Sequence, residues 1–316
     1  MKIKNIKKII LCLISSAAVC AAAVTAAGCN AETAHPEVCI TYEFNGKEYA
    51  VNYRLYRNMY PHTVKHFIEL AENNFYDNLV IHDYKTNDWF TGAYTYDAES
   101  YAANVGNAGQ MVEYFEAQSK EDVYVQLFKA GKFTSSVYSQ LRYDKNGNEY
   151  VDEADALPTV LGEYKNNIQQ EIEKGALTAD YGCLKMYHYE KESTQKLYVK
   201  PTSDQIILAD YKTNCATSLF ALQTGSSSSY SAANYAVFAQ LNGTETFNDF
   251  VEDVKDYISE YHGGTASDFY TVLSESVRVD NFDEFSNKPD SDKGTAVSFN
   301  VPKKPIIIKT VKVTKY

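Results

Sequence analysis

The chain opens with an apolar run from Ile9 to Ala27, broken only by Ser15, Ser16 and Thr25. Past residue 37 the period changes. Residues 38–44 and 49–55 carry β-branched and aromatic residues around Asn45-Gly46, which predicts two strands joined by a tight hairpin. From Pro61 to Glu72 the apolar residues fall at Val64, Phe67, Ile68 and Ala71, a helical spacing with proline at the first turn. Residues 94–170 are polar and tyrosine-rich. Only Ser119-Lys120-Glu121-Asp122 gives a clear signal there, a capping box before a helix to about Ala130, and the stretch reads as an insertion packed on the domain. A second strong helix is expected from Thr246 to His262, with Thr246 and Asp249 as its capping box and Phe247, Phe250, Val251, Val254 and Ile258 as its buried face. Residues 302–316 read as a closing strand whose lysines, Lys303, Lys304, Lys309, Lys312 and Lys315, are solvated and guard an edge.

Composition sharpens this picture. Lys2, Lys4, Lys7 and Lys8 precede the first apolar run, the layout of an export signal. The run ends in Ala26-Ala27-Gly28-Cys29, which resembles a bacterial lipobox, so Cys29 is the expected lipid attachment site and residues 1–28 the signal peptide. An uncleaved transmembrane anchor is the other reading; both place the remainder outside the cytoplasmic membrane, at its outer face or the cell surface. Without the four signal lysines the formal charge moves from −11 to −15, which argues against nucleic acid as a partner. Beyond the tether, 29–37, the length suits one domain with insertions, 38–316, and 27 tyrosines give its core many amphipathic rings. Besides Cys29, the mature chain keeps Cys39, Cys183 and Cys215 with no Cys-x-x-Cys pair, so a structural zinc site is not expected; no cofactor is expected either.

The stretch from Tyr53 to His82 resembles the opening of a cyclophilin-type peptidyl-prolyl isomerase. Pro61, Thr63, Val64, Phe67, Leu70, Ala71, Phe75, Tyr76, Asp77 and His82 all fall in register with that family's helix, its Phe-Tyr-Asp and its Phe-His-Arg strand. Further similarities follow in family order. Leu161-Gly162-Glu163-Tyr164 resembles a Lys-Gly-Glu-Phe segment, residues 174–178 the Gly-x-Leu-Ser-Met-Ala strand, residues 216–220 Gly-Ser-Gln-Phe-Phe, residues 235–241 the Val-Phe-Gly-x-Val strand and residues 305–313 the last strand. The resemblance implies a mainly β fold with some α: a closed eight-stranded antiparallel barrel capped by two helices, with partly helical insertions near 94–160 and 184–214. It implies proline-containing exported or surface polypeptides as partners, while the lipobox-like end of the signal gives membrane attachment through a lipid anchor.

The same register implies a degraded active site. The family's catalytic arginine follows the histidine, and here Asp83 stands in that place. The Phe-Met-x-Gln-Gly-Gly segment falls on residues 88–93, so Asp88 replaces a pocket phenylalanine and Thr91 a glutamine. The Ala-Asn pair falls on Asp180-Tyr181 and the next glutamine on Ser218, while Phe220 keeps a pocket phenylalanine and Tyr230 and Tyr235 stand at the rim. Lys85, two residues past Asp83 on the same strand face, is the one candidate for rescue, although it lacks the arginine fork. Losing one preorganised donor costs about 2.7–4 kcal/mol in the transition state, so weak or absent isomerase activity is expected, and a non-catalytic peptide-binding, assembly or adhesion module is the alternative.

Other constellations have plain readings. His62 and His66 read as a solvated helix face, Asn146-Gly147 as a hairpin turn inside an imperfect calcium-loop pattern, and Ser226 to Ser229 as a loop. Cys183 and Cys215 flank residues 184–214, whose arms 184–189 and 205–208 could pair as a hairpin and bring the thiols together; two small buried hydrophobes are the other reading.

Overall fold

The computed structural model describes residues 33–133, 137–138, 142–143, 149–150, 159–161, 163, 177–188, 196–199, 207–210, 215–228, 235–273 and 299–316. The signal, Cys29 and Tyr230 lie outside them.

Strands β1 (Glu37–Phe44) and β2 (Lys47–Leu55) pair in register around Asn45-Gly46, both at positive φ, 50° and 78°. That backbone matches the strands' right-handed twist. Helix α1 (Pro61–Glu72) follows, then β3 (Leu79–Val80), β4 (Asp83–Tyr84) and β5 (Asp88–Thr91). The insertion contributes α2 (Ala98–Asn104), α3 (Ala108–Gln118) and α4 (Glu121–Lys129), with short strands β6 (Val137–Tyr138), β7 (Arg142–Tyr143), β8 (Glu149–Tyr150) and β9 (Thr159–Leu161). Next come β10 (Leu184–His188), β11 (Lys196–Val199), β12 (Ile207–Asp210), β13 (Cys215–Gln223) and β14 (Tyr235–Leu241). The chain ends with α5 (Glu245–His262), α6 (Ala266–Phe269), β15 (Tyr270–Leu273), β16 (Phe299–Pro302) and β17 (Ile306–Lys315).

The main sheet is antiparallel and runs β3-β17-β1-β2-β14-β10-β13-β5-β4. Its two ends are the halves of one stretch, Leu79–Tyr84: the first half pairs with β17 and the second with β5. The sheet therefore curls round onto itself, that stretch and seven further strands making the expected eight. Inside, Tyr42 stacks on Phe250 of α5 at 4.8 Å, and Phe67 of α1 meets Phe220 and Phe238 at 5.4 and 5.0 Å. Helices α1 and α5 thus close the core with the faces their periodicity predicts.

Four local expectations change. Helix α5 starts one residue before Thr246, with Thr244 at its N-cap, and Gly263 ends it at φ 58°; in α4 Ser119 Oγ accepts from the Glu121 amide rather than forming the box with Asp122. His66 is not solvated. The insertion folds over α1, so His66 is 1% exposed, T-shaped to Tyr124 and Phe133, and burial drives its pKa down to about 3. Lys120 pins this cover by donating to the Phe75 carbonyl with its Nζ over the Phe75 ring. Fourth, residues 184–188 do not arm a hairpin with 205–208: β10 lies in the barrel against β13, whereas β12 pairs with β11. Cys183 consequently sits beside Gln223, at the opposite end of β13 from Cys215, about 25 Å by strand rise. It is a free buried thiol, and the bridge to Cys215 is not formed. The Asn146-Gly147 turn lies outside the described residues, but β7 and β8 on either side pair antiparallel as that turn requires.

Candidate functional site

Strand alternation decides which side chains face the barrel core and which face out. On β5, Trp89 stacks with Tyr84 at 5.4 Å and meets Phe250 edge-on at 5.6 Å, so it points in. Thr91 points the same way, donating to the Val80 carbonyl at 3.0 Å. On β13, Phe220 is edge-on to Phe67 and Tyr76 inside the core, and Ser218 Oγ donates to the Gly92 carbonyl at 2.7 Å. Gly92 is at φ +107°, and a Cβ there would meet the Ser218 carbonyl oxygen at 2.3 Å; this junction admits only glycine. Thr91, Ser218 and Phe220 are therefore parts of the barrel wall and core, not of a cleft.

The outer face carries the other set. Asp83 pairs across the sheet with Phe90, Phe90 with Ala221 of β13, and Ala221 with Lys185 of β10. This lateral row marks the face on which the arginine position lies. Phe90 turns outward against Tyr187 at 5.8 Å. At one end of the row, Asp83 is 5% exposed beneath β16. The Asn300 amide donates to its Oδ1 at 2.7 Å and Lys85 Nζ sits 3.1 Å away. Burial lifts the Asp83 pKa to about 6 against the opposing pull of Lys85 and the amide, and burial takes neighbouring His82 down to about 3. Lys85 is thus held against an aspartate in the place where the rescue reading needs it facing substrate.

At the other end, where the sequence reading expected a lost pocket wall, Asp88 forms a buried ion pair with Lys185. Lys185 Nζ also donates to Gln223 Oε1 at 3.2 Å and Ser228 Oγ at 2.9 Å, and it lies 4.7 Å from the Tyr235 ring centroid. Tyr235 is the rim candidate that the fold does bring to this face. Lys185, Gln223 and Ser228 were missed. A signal existed in Lys185, a charge set between the apolar Leu184 and Met186. Behind the site, Glu163 accepts from the His62 and Thr63 amides at 3.0 and 2.9 Å, capping α1, and burial raises its pKa to about 7.

The sequence pattern of the cyclophilin type peptidyl-prolyl cis-trans isomerase/CLD family matches residues 40–260. The chain belongs to that family. It is similar to a cyclophilin type isomerase of Cryptosporidium parvum at 14% identity, covering 88% of this chain and 97% of that one with a TM-score of 0.35. The same parasite protein in the presence of the dipeptide Ala-Pro gives 16% identity, 88% and 98% coverage and a TM-score of 0.36. The Mimivirus cyclophilin gives 12%, 73% and 83%, and 0.37. No curated protein matches.

Set on this cyclophilin barrel, two parts of the expected site move. The neighbour of β13 is β10, so Gly-x-Leu-Ser-Met-Ala falls on Gly182-Cys183-Leu184-Lys185-Met186-Tyr187; residues 177–180 form no strand, and the Ala-Asn position moves from Asp180-Tyr181 to Tyr187-His188. On β13, Phe220, expected as the pocket phenylalanine, faces into the core. Ala221, its neighbour in the chain, is the residue that lies on the outer face beside Phe90 and Lys185.

Proposed function

We propose that this cyclophilin-family protein engages proline-containing exported or surface polypeptides from a lipid anchor at Cys29, on the outer face of the cytoplasmic membrane, with isomerase turnover weak or lost. The observation that carries the reading is Asp83: the position of the family's arginine holds a buried carboxylate, tied to Lys85 and to the Asn300 amide of β16. An acceptor there cannot donate to a twisting prolyl amide, whose uncatalysed rotation faces a barrier of about 18–20 kcal/mol. Where the family register has a pocket phenylalanine, Asp88 forms a buried ion pair with Lys185, a poor surface for an apolar proline ring. What such a face offers a polypeptide is contact without turnover. The test is a proline-tetrapeptide isomerisation assay on detergent-solubilised full-length protein, run beside an ordinary cyclophilin. Rates at the uncatalysed background are expected, and turnover approaching the ordinary enzyme overturns the proposal.

A further inference from the structure

Asp88 and Lys185 come from β5 and β10, strands that share no hydrogen bonds because β13 runs between them. Both side chains are shut away from water, at 0% and 1% exposure. Lys185 Nζ lies against Asp88 Oδ1. The Ser228 hydroxyl touches both partners: its Oγ is 2.9 Å from Nζ and 3.4 Å from the second carboxylate oxygen, Oδ2. Gln223 fixes the nitrogen from another side, accepting from it at 3.2 Å. The Gln223 amide nitrogen donates to the carbonyls of Ala179 and Gly225 at 2.6 and 3.2 Å, so its oxygen is held toward the lysine. The Tyr235 ring closes the site at 4.7 Å.

We propose that Asp88 and Lys185 condense into an intramolecular isopeptide bond. Transfer of one Nζ proton to the carboxylate gives the amine and the carboxylic acid that can react. The Nζ lone pair then attacks Cγ. As the Nζ–Cγ bond forms, the Cγ–Oδ2 bond breaks, and the oxygen departs as water with the acid's own proton and one from nitrogen. Nothing is oxidised or reduced. Ser228 spans Nζ and Oδ2, the two atoms between which that proton must pass, and is the proton relay. Fixed alignment of two reacting groups gives effective concentrations of about 10⁵–10⁸ M, far above those of a free amine and acid in solution. The product ties β5 covalently to β10 across β13.

Mass spectrometry of full-length protein, digested with trypsin under denaturing conditions, tests this. The expected result is a branched peptide joining the segments of Asp88 and Lys185, lighter than the two together by one water, with no cleavage after Lys185. Stoichiometric linear peptides ending at Lys185 overturn the bond. Asp88→Ala should restore that cleavage, and because the digest is denaturing the readout holds whether or not the variant folds; a branched peptide persisting there assigns the link to another residue and also overturns it. Ser228→Ala should leave a mixture of branched and linear peptides, and complete linkage removes Ser228 from the chemistry.

Discussion

Replacing Asp83 by asparagine should change how stability depends on pH more than it changes stability at any one pH. The carboxyl is buried under β16, and its pKa stands at about 6 against an ordinary 3.8. A raised pKa means that the folded state binds the proton more tightly than the unfolded state. The stabilisation is therefore fully present below about pH 4, and it is lost as pH rises through 6. A shift of about two units at 1.36 kcal/mol each gives about 3 kcal/mol lost across that window. Asparagine keeps the shape and an acceptor for the Asn300 amide but does not titrate. His66 and His82, held near 3 by burial, work in the opposite direction, since the unfolded chain takes up their protons below about 6.5. Glu163, raised to about 7, works in the same direction as Asp83. All three are present in both proteins and drop out of the difference. Urea denaturation of both proteins at pH 4, 5, 6 and 7.5 gives that difference directly. Asp83→Asn should gain on the parent by about 3 kcal/mol from the lowest pH to the highest. A difference flat to within about 0.5 kcal/mol would refute the burial argument.

Glu163→Ala removes both acceptors from the first turn of α1, and a loss of about 2–3 kcal/mol is expected in the same assay, against well under 1 kcal/mol for the exposed Glu260. Phe220→Ala should cost about 3–5 kcal/mol as a core cavity, while leaving any proline-peptide affinity measured by calorimetry unchanged; a selective loss of peptide binding at full stability would return Phe220 to the cleft. Cys29→Ala should abolish incorporation of labelled fatty acid, and continued labelling would remove the lipid anchor.

The sequence by itself determined the elements whose signals are local. The Asn45-Gly46 hairpin, the proline-started α1 and the apolar stripe of α5 are written in neighbouring residues, and so is the family register from Pro61 to His82. The aspartate at the arginine position followed directly from that register. The tertiary structure alone decided the faces. Residues 216–223 and 88–91 are buried on both sides and carry polar and apolar residues on each face, so their period carries no phase, and only pairing with β5, β10 and β4 shows that Phe220 and Thr91 turn in while Ala221 and Phe90 turn out. The same limit explains His66, polar in the helical pattern yet buried by an insertion that begins some thirty residues later. It also explains the Asp88–Lys185–Ser228 cluster, assembled from three distant segments. Contacts between distant segments are set by how the sheet closes, and no window of adjacent residues encodes which strand becomes whose neighbour.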